Sequence, residues 1–281
     1  MILEPSHWQA RMDDHQARAD NRLATFRHPG QYHAVYDFLF EYYPVRPSHL
    51  RRWHPGVGVA LAGKPPHAQW RYYKNDDGLT AVDTRAWWAK RGESALVIKR
   101  LLESTATNPA TFDCFGLHEW AMVYKTDRPR HSLPLRLGPE RTNEVVERSK
   151  LKCTHYDAYR FFTEPARPLN IRVLDRGGQS DNDQAGCVHA TMDVYKWAWK
   201  LGPIVPGELF LDALDVAIEA RTLDMEASPY DCRSLGLGVV AVETAEGKAE
   251  YVARQRQLAD KARPLRERLV ALINSARQSK L

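Results

Sequence analysis

Apolar residues recur along most of this chain at helical spacing, with polar and charged residues on the opposite faces. The stretch "PSHWQARMDDHQARADNRLATF" at 5–26 opens on Pro-Ser and reads as a polar, charge-paired helix. After "RHPG", residues 31–43 ("QYHAVYDFLFEYY") place aromatics and aliphatics at helical spacing and stop at Pro44. The strand signals are "VGVALA" at 57–62 and "QWRYY" at 69–73, separated by "GKPPH". A long helix is predicted from Thr84 to about Thr105, with Asp83 as its N-cap. Further helices are predicted at 115–124, 139–149, 154–163, 184–201, 206–226 and 245–278, while 164–182 reads as a loop rich in turn formers. The pattern predicts a mainly α chain of roughly eight helices with a small β element near residues 57–82. No composition shift marks a boundary, so residues 1–281 are expected to form a single helical domain. In it the N-terminal helix 5–26 and the long C-terminal helix 245–278 pack together.

Composition narrows the class. Hydrophobic residues are 43% and charged residues 27%, ordinary values for a globular protein, and no run of about 18 apolar residues exists to span a membrane. The N-terminal "MILEPSHWQARMDDHQ" turns charged too early for a signal peptide. The 4 cysteines include no CxxC pair, which suits a reducing cytoplasm. A net charge of +5 fits phosphates or an anionic substrate without requiring either.

Three of those cysteines stand just ahead of a histidine and an acid, in "CFGLHE" (114–119), "CTHYD" (153–157) and "CVHATMD" (187–193). Helix geometry separates these letters. Positions i and i+2 project about 200° apart, so Cys187 and His189, or Cys153 and His155, do not form chelating pairs on a helix. Positions i and i+4 share a face, which joins His189 to Asp193 and Cys114 to His118. The cysteines read as small core fillers. His118, Glu119, His155, Asp157, His189 and Asp193 remain as the raw material for a centre, either as metal ligands or as imidazole–acid hydrogen bonds within a helical core. The acids Glu208, Asp212, Asp215 and Glu219 fall on one helix face and read as solvated. Asp224 and Asp231 flank the Ser-Pro turn that follows.

Aromatic and basic residues also interleave, in "YYPVRPSHLRRWHPG" (42–56), "WRYY" (70–73) and "HYDAYRFF" (155–162). Rings for stacking beside arginines for phosphates suit an unstacked base, and a Tyr/Trp core with surface arginines gives the same letters. The prolines of 42–56 make a loop expected to display Arg51, Arg52, Trp53 and His54.

The strings "YYPVRPSHLRRWHPG", "FGLHEWAMVY", "LPLRLG", "HYDAYRFFTEPARPLN", "GCVHATMDVYKWAWKL", "RTLDMEASPYD" and "ETAEGKAEYVARQR" resemble a family of actinobacterial proteins that carry the label 3-methyladenine DNA glycosylase. The resemblance covers nearly all of the chain after about residue 35. It implies DNA as partner and hydrolysis of the N-glycosidic bond of an alkylated purine, with no metal. That chemistry needs a carboxylate beside the sugar and rings against the cationic base. The residues available are Asp193, Glu119 and Asp157 as catalytic acids, Trp53, Trp120 and Tyr156 as stacking or wedge residues, and Arg51, Arg52 and Arg160 as phosphate contacts. Asp193 leads because His189 shares its helix face. The alternative is a metal-dependent enzyme, a non-haem iron or di-metal oxygenase on a helical bundle. Its iron, manganese or zinc would be held by His118, His155, His189, Glu119 and Asp193. A further alternative is a non-catalytic protein that binds nucleic acid or a partner through the Arg/Trp loop.

Overall fold

The computed structural model describes residues 1–26 and 32–279, so the tetrapeptide at 27–30 and the start of the helix expected at 31 lie outside the described residues. The protein is mainly helical. In chain order its α-helices are α1 (Pro5–Phe26), α2 (Phe38–Glu41), α3 (Pro47–Leu50), α4 (Thr84–Thr107), α5 (Leu117–Ala121) and α6 (Gly138–Arg148). They continue with α7 (Tyr156–Tyr159), α8 (Gln179–Asn182), α9 (Val188–Leu201), α10 (Gly207–Glu226) and α11 (Ala245–Gln278). Four short strands, β1 (Ile2–Leu3), β2 (Ala60–Ala62), β3 (Tyr73–Asp76) and β4 (Leu79–Val82), form one sheet in the order β1-β2-β4-β3. None of the described helices is long and apolar enough to cross a membrane.

The chain divides into two compact units, and passes between them inside α4, α9, α10 and α11. The first comprises Met1–Glu103, Val194–Asp215 and Pro264–Leu281; the second comprises Ser104–Asp193 and Val216–Arg263.

In the first unit β1 pairs parallel with β2, and β4 lies antiparallel to both β2 and β3. The β3–β4 hairpin turns on Asp77 (φ 49°) and Gly78 (φ 78°), the double left-handed step of a type I′ turn. The strand expected at 69–73 is displaced by this hairpin. Residues Pro66–Gln69 form a 3₁₀ turn instead, because Pro65 and Pro66 supply no ladder N–H. The aromatic stretch after residue 31 keeps only the single turn of α2 before Pro44. Leu3, Trp8, Trp53 and Leu61 form a core beneath the sheet, with the Trp8 Nε1–H donating to the Ala62 carbonyl at 3.0 Å. Of the α10 acids expected on a solvated face, Glu219 is exposed as expected, whereas the other three are engaged. Arg22 clamps Asp215 with two hydrogen bonds of 2.8 and 2.6 Å, Arg18 reaches Asp212 at 3.3 Å, and Glu208 accepts the Trp53 Nε1–H at 3.0 Å. Arg18 and Arg22 stand one turn apart on α1, so one basic face of α1 lies on one acidic face of α10. Asp83 caps α4 as expected, its Oδ1 accepting the Ala86 N–H at 2.9 Å.

In the second unit α6 buries Thr142, Val145 and Val146, the i, i+3, i+4 stripe of an amphipathic helix. The Trp120 Nε1–H donates to the Ala227 carbonyl at 2.8 Å. Arg136 holds Glu243 through a fork of 2.6 and 2.9 Å. The segment 164–182 carries a 3₁₀ turn, Glu164–Leu169, and the single turn of α8, with Ile171 and Val173 exposed between them.

Candidate functional site

The polar centre of the second unit is built from α5, α9 and α10. Phe115 (φ 49°) and Gly116 (φ 68°) both adopt the left-handed conformation and turn the chain sharply into α5. A side chain at Gly116 would meet the Tyr251 ring at 3.2 Å and Ala227 Cβ at 3.3 Å, so the position is closed in space as well as strained. This turn aims the consecutive residues His118 and Glu119 into the interior. They meet Arg221 and Asp224, which stand one turn apart on α10. The His118 Nε2–H donates to Asp224 Oδ1 at 2.6 Å. Arg221 Nη1 donates to Asp224 Oδ2 at 2.7 Å and to Glu119 Oε1 at 3.1 Å. His189, in the first turn of α9, sets its ring edge-on to His118 with centroids 4.5 Å apart.

Every member of this group is buried, Asp224 and Arg221 almost completely. Burial alone would neutralise Asp224, yet the His118, His189 and Arg221 side chains hold its carboxyl well below the usual range, so it stays ionised. Glu119 moves the other way. Burial and the neighbouring Asp224 charge raise it, against the pull of Arg221 and His118. Burial, assisted by the imidazole of His118, depresses His189 far below an ordinary histidine and keeps it neutral. Its Nδ1 is buried with no hydrogen-bond partner among the described residues. Two buried carboxyl groups thus share one guanidinium, which leaves one negative charge to be met by a further proton or by a metal ion.

A second imidazole–acid group adjoins the first. His155 Nε2 lies 3.3 Å from Asp193 Oδ2 and 3.9 Å from Asp183 Oδ2, and its ring stacks against His189 at 5.4 Å. The partnership expected between His189 and Asp193 is therefore taken over by His155, while His189 turns towards His118. Of the five residues named from sequence as metal ligands, His118, His155 and His189 come together, and Glu119 and Asp193 sit beside them as their neighbours' partners. The donor atoms that converge are those of His118, His189 and Asp224, all within 4.8 Å of one another.

Of the residues expected to contact DNA, Arg51, Arg52 and Arg160 are exposed as expected, and the tryptophans are placed differently. Trp53 and Trp120 are buried and their indole N–H groups are engaged, so neither ring offers a free face; large apolar rings gain most inside a core. Arg51 pairs with Asp20. Asp157 is held by Arg160 at 3.1 Å and Arg176 at 3.3 Å, and Arg176 also covers the half-buried Tyr156 ring at 5.1 Å. The four cysteines are free and buried, as core fillers should be, and burial raises their thiols: Cys153 to about 12, Cys232 to about 11.

Sequence reasoning left Arg221 and Asp224 out of the centre. The signal was present, since Leu214, Ala217, Arg221 and Asp224 continue one buried stripe of α10. A charged pair that extends an apolar face marks a buried ion pair. Compared with protein-family models, curated proteins and solved structures, the chain matches none.

Proposed function

We propose that the protein is a metal-dependent enzyme whose divalent transition-metal ion is held by His118, His189 and Asp224. The observation that carries this reading is the convergence of two imidazoles and one carboxylate from three helices, their donor atoms within 4.8 Å of one another. Two imidazoles and a carboxylate bind iron, manganese or zinc while leaving further positions for water or substrate. The surroundings match that role. Arg221 fixes the second oxygen of Asp224, and the neutral His189 carries a buried nitrogen without a partner among the described residues. Metal content of gently purified protein, with a visible spectrum before and after reduction, tests it. The expected result is near one equivalent of metal per chain, lost in His189→Gln while the far-UV spectrum is kept. A folded wild-type protein that takes up no iron(II), manganese(II) or zinc(II) would overturn it.

A second reading is hydrolytic release of alkylated purines from DNA. The family resemblance supports it, and so does the buried His155–Asp193 pair, in which an imidazole can orient a carboxylate towards a developing sugar cation. Under it, Asp193→Asn loses base release from methylated DNA and keeps the fold. Unchanged release by that variant removes Asp193 from the reaction.

A further inference from the structure

The first unit carries a separate feature. A cavity of about 250 Å³ is walled by Trp70, Tyr72 and Trp199 and rimmed by Arg52, Arg71, Arg91 and Lys200, and no acidic residue among the described ones lines it. Arg52 lies 5.2 Å above the Trp70 ring and Arg71 4.6 Å above the Tyr72 ring. Among the described residues, no carboxylate pairs with Arg52, Arg71 or Arg91. Elsewhere in this unit Arg18, Arg22 and Arg51 pair with acids, whereas Arg11, Arg46, Arg85 and Arg100 pair with none among the described residues. What sets Arg52, Arg71 and Arg91 apart is that the three line one cavity.

The walls are preorganised. His49 stacks on Trp199 with centroids 6.0 Å apart and planes 30° from parallel. His54 donates or accepts at the Tyr73 hydroxyl over 2.8 Å and sets its ring edge-on to Trp70. Burial, with the charges of His67 and Arg52, pushes His54 down to about 3, so the positive field comes from permanent cations. Tyr72 holds a left-handed backbone (φ 67°) that a tyrosine rarely adopts, and the Asp83 N–H fixes its carbonyl at 2.8 Å.

Cationic forks around flat indole and phenol faces suit a ligand with a doubly charged oxyanion at one end and a planar ring at the other. The same field repels a cationic ring, which separates this cavity from an alkylated purine base. We propose that the cavity binds a phosphate monoester bearing a planar ring, such as a nucleoside monophosphate. Arg52 and Arg91 meet the phosphate, and Trp70 or Trp199 meets the ring. The volume suits one such unit, at the small end of ligand pockets. This inference stands independently of both readings of the second unit.

The test is a titration of the full chain, followed by tryptophan fluorescence and calorimetry, with AMP, adenosine and inorganic phosphate. A single-stranded oligonucleotide is added with and without a 5′-phosphate. AMP is expected to saturate, with adenosine and phosphate each at least about tenfold weaker. Arg52→Gln and Arg91→Gln, both at exposed positions, should each weaken AMP about tenfold without moving the melting temperature. Competition by the 5′-phosphorylated strand alone of the two strands would assign the ligand to a strand end. AMP binding without strand competition would assign it to the free nucleotide. The proposal fails if AMP shows no saturation below about 1 mM, or if both arginine variants bind it as tightly as the wild type.

Discussion

Replacing Arg221 by Met keeps most of the side chain's length and removes its charge. The guanidinium bridges Glu119 and Asp224 at 3.1 and 2.7 Å, and both acids are buried. Taking one partner out of a buried ion pair costs about 3–5 kcal/mol, because the carboxylates left behind keep their desolvation and lose their cation. Against a total stability of about 5–15 kcal/mol this is a large fraction, so the urea midpoint should fall steeply. The pH dependence carries the sharper prediction. Glu119 has a carboxyl raised above its ordinary value in the folded protein, so the folded state binds the proton more readily than the unfolded one. Its contribution to stability is therefore most favourable at low pH and declines as pH rises from the unfolded value through the folded one. Without Arg221 that folded value rises further, so the deficit of Arg221→Met should widen as pH climbs past the wild-type folded value, itself above the ordinary carboxyl value, and narrow in acid. The double variant Glu119→Gln with Arg221→Met should recover about 1–2 kcal/mol, since one of the stranded charges is gone. Denaturation at several pH values decides it. A loss under about 1 kcal/mol, or a deficit that does not change with pH, would refute the idea that Arg221 compensates two buried carboxylates.

Other variants probe the surroundings. Gly116→Ala should cost about 1–3 kcal/mol, because alanine enters both a left-handed backbone and a closed space; full stability would show that the turn relaxes. Asp83→Ala removes the cap of α4 and should lower stability by about 1 kcal/mol in thermal melts, with Asp83→Asn close to wild type. The four cysteines should resist alkylation near neutral pH in the native protein and react on unfolding, which mass spectrometry reads directly. If metal replaces the proton between His118 and Asp224, metal uptake should release protons and weaken in mild acid, as measured by uptake at graded pH.

Much of the scaffold could be read from local signals. The helix at 245–278 coincides with α11, and those expected at 206–226 and from Thr84 lie within two residues of α10 and α4, because long periodic faces and a good cap act locally. The hairpin was missed although "NDDG" spells its turn, since "QWRYY" looked more strand-like than the polar β3. The stretch at 31–43 has helical spacing yet keeps only the helical turn Phe38–Glu41 in its described part; spacing cannot weigh the prolines and packing that follow. The same limit applies to the site. Helix geometry set the cysteines aside and kept His118, His155 and His189, and these three do meet. It assigned Asp193 to the wrong imidazole, because two residues on one face compete with every residue on facing helices. It passed over Asp224, whose partner lies 106 positions away.

That separation has a consequence in time. His118 and Glu119 sit on a helix of five residues, too short to persist by itself in water. Their partners Asp224 and Arg221 follow 106 and 102 positions later. At about 5–20 residues per second, ribosomal synthesis leaves roughly 5–20 s in which this histidine and acid have emerged without their counterparts. During that interval the imidazole is free to meet metal ions or chaperones before α10 exists. The centre is thus assembled late, and any fragment that stops short of α10 lacks Arg221 and Asp224.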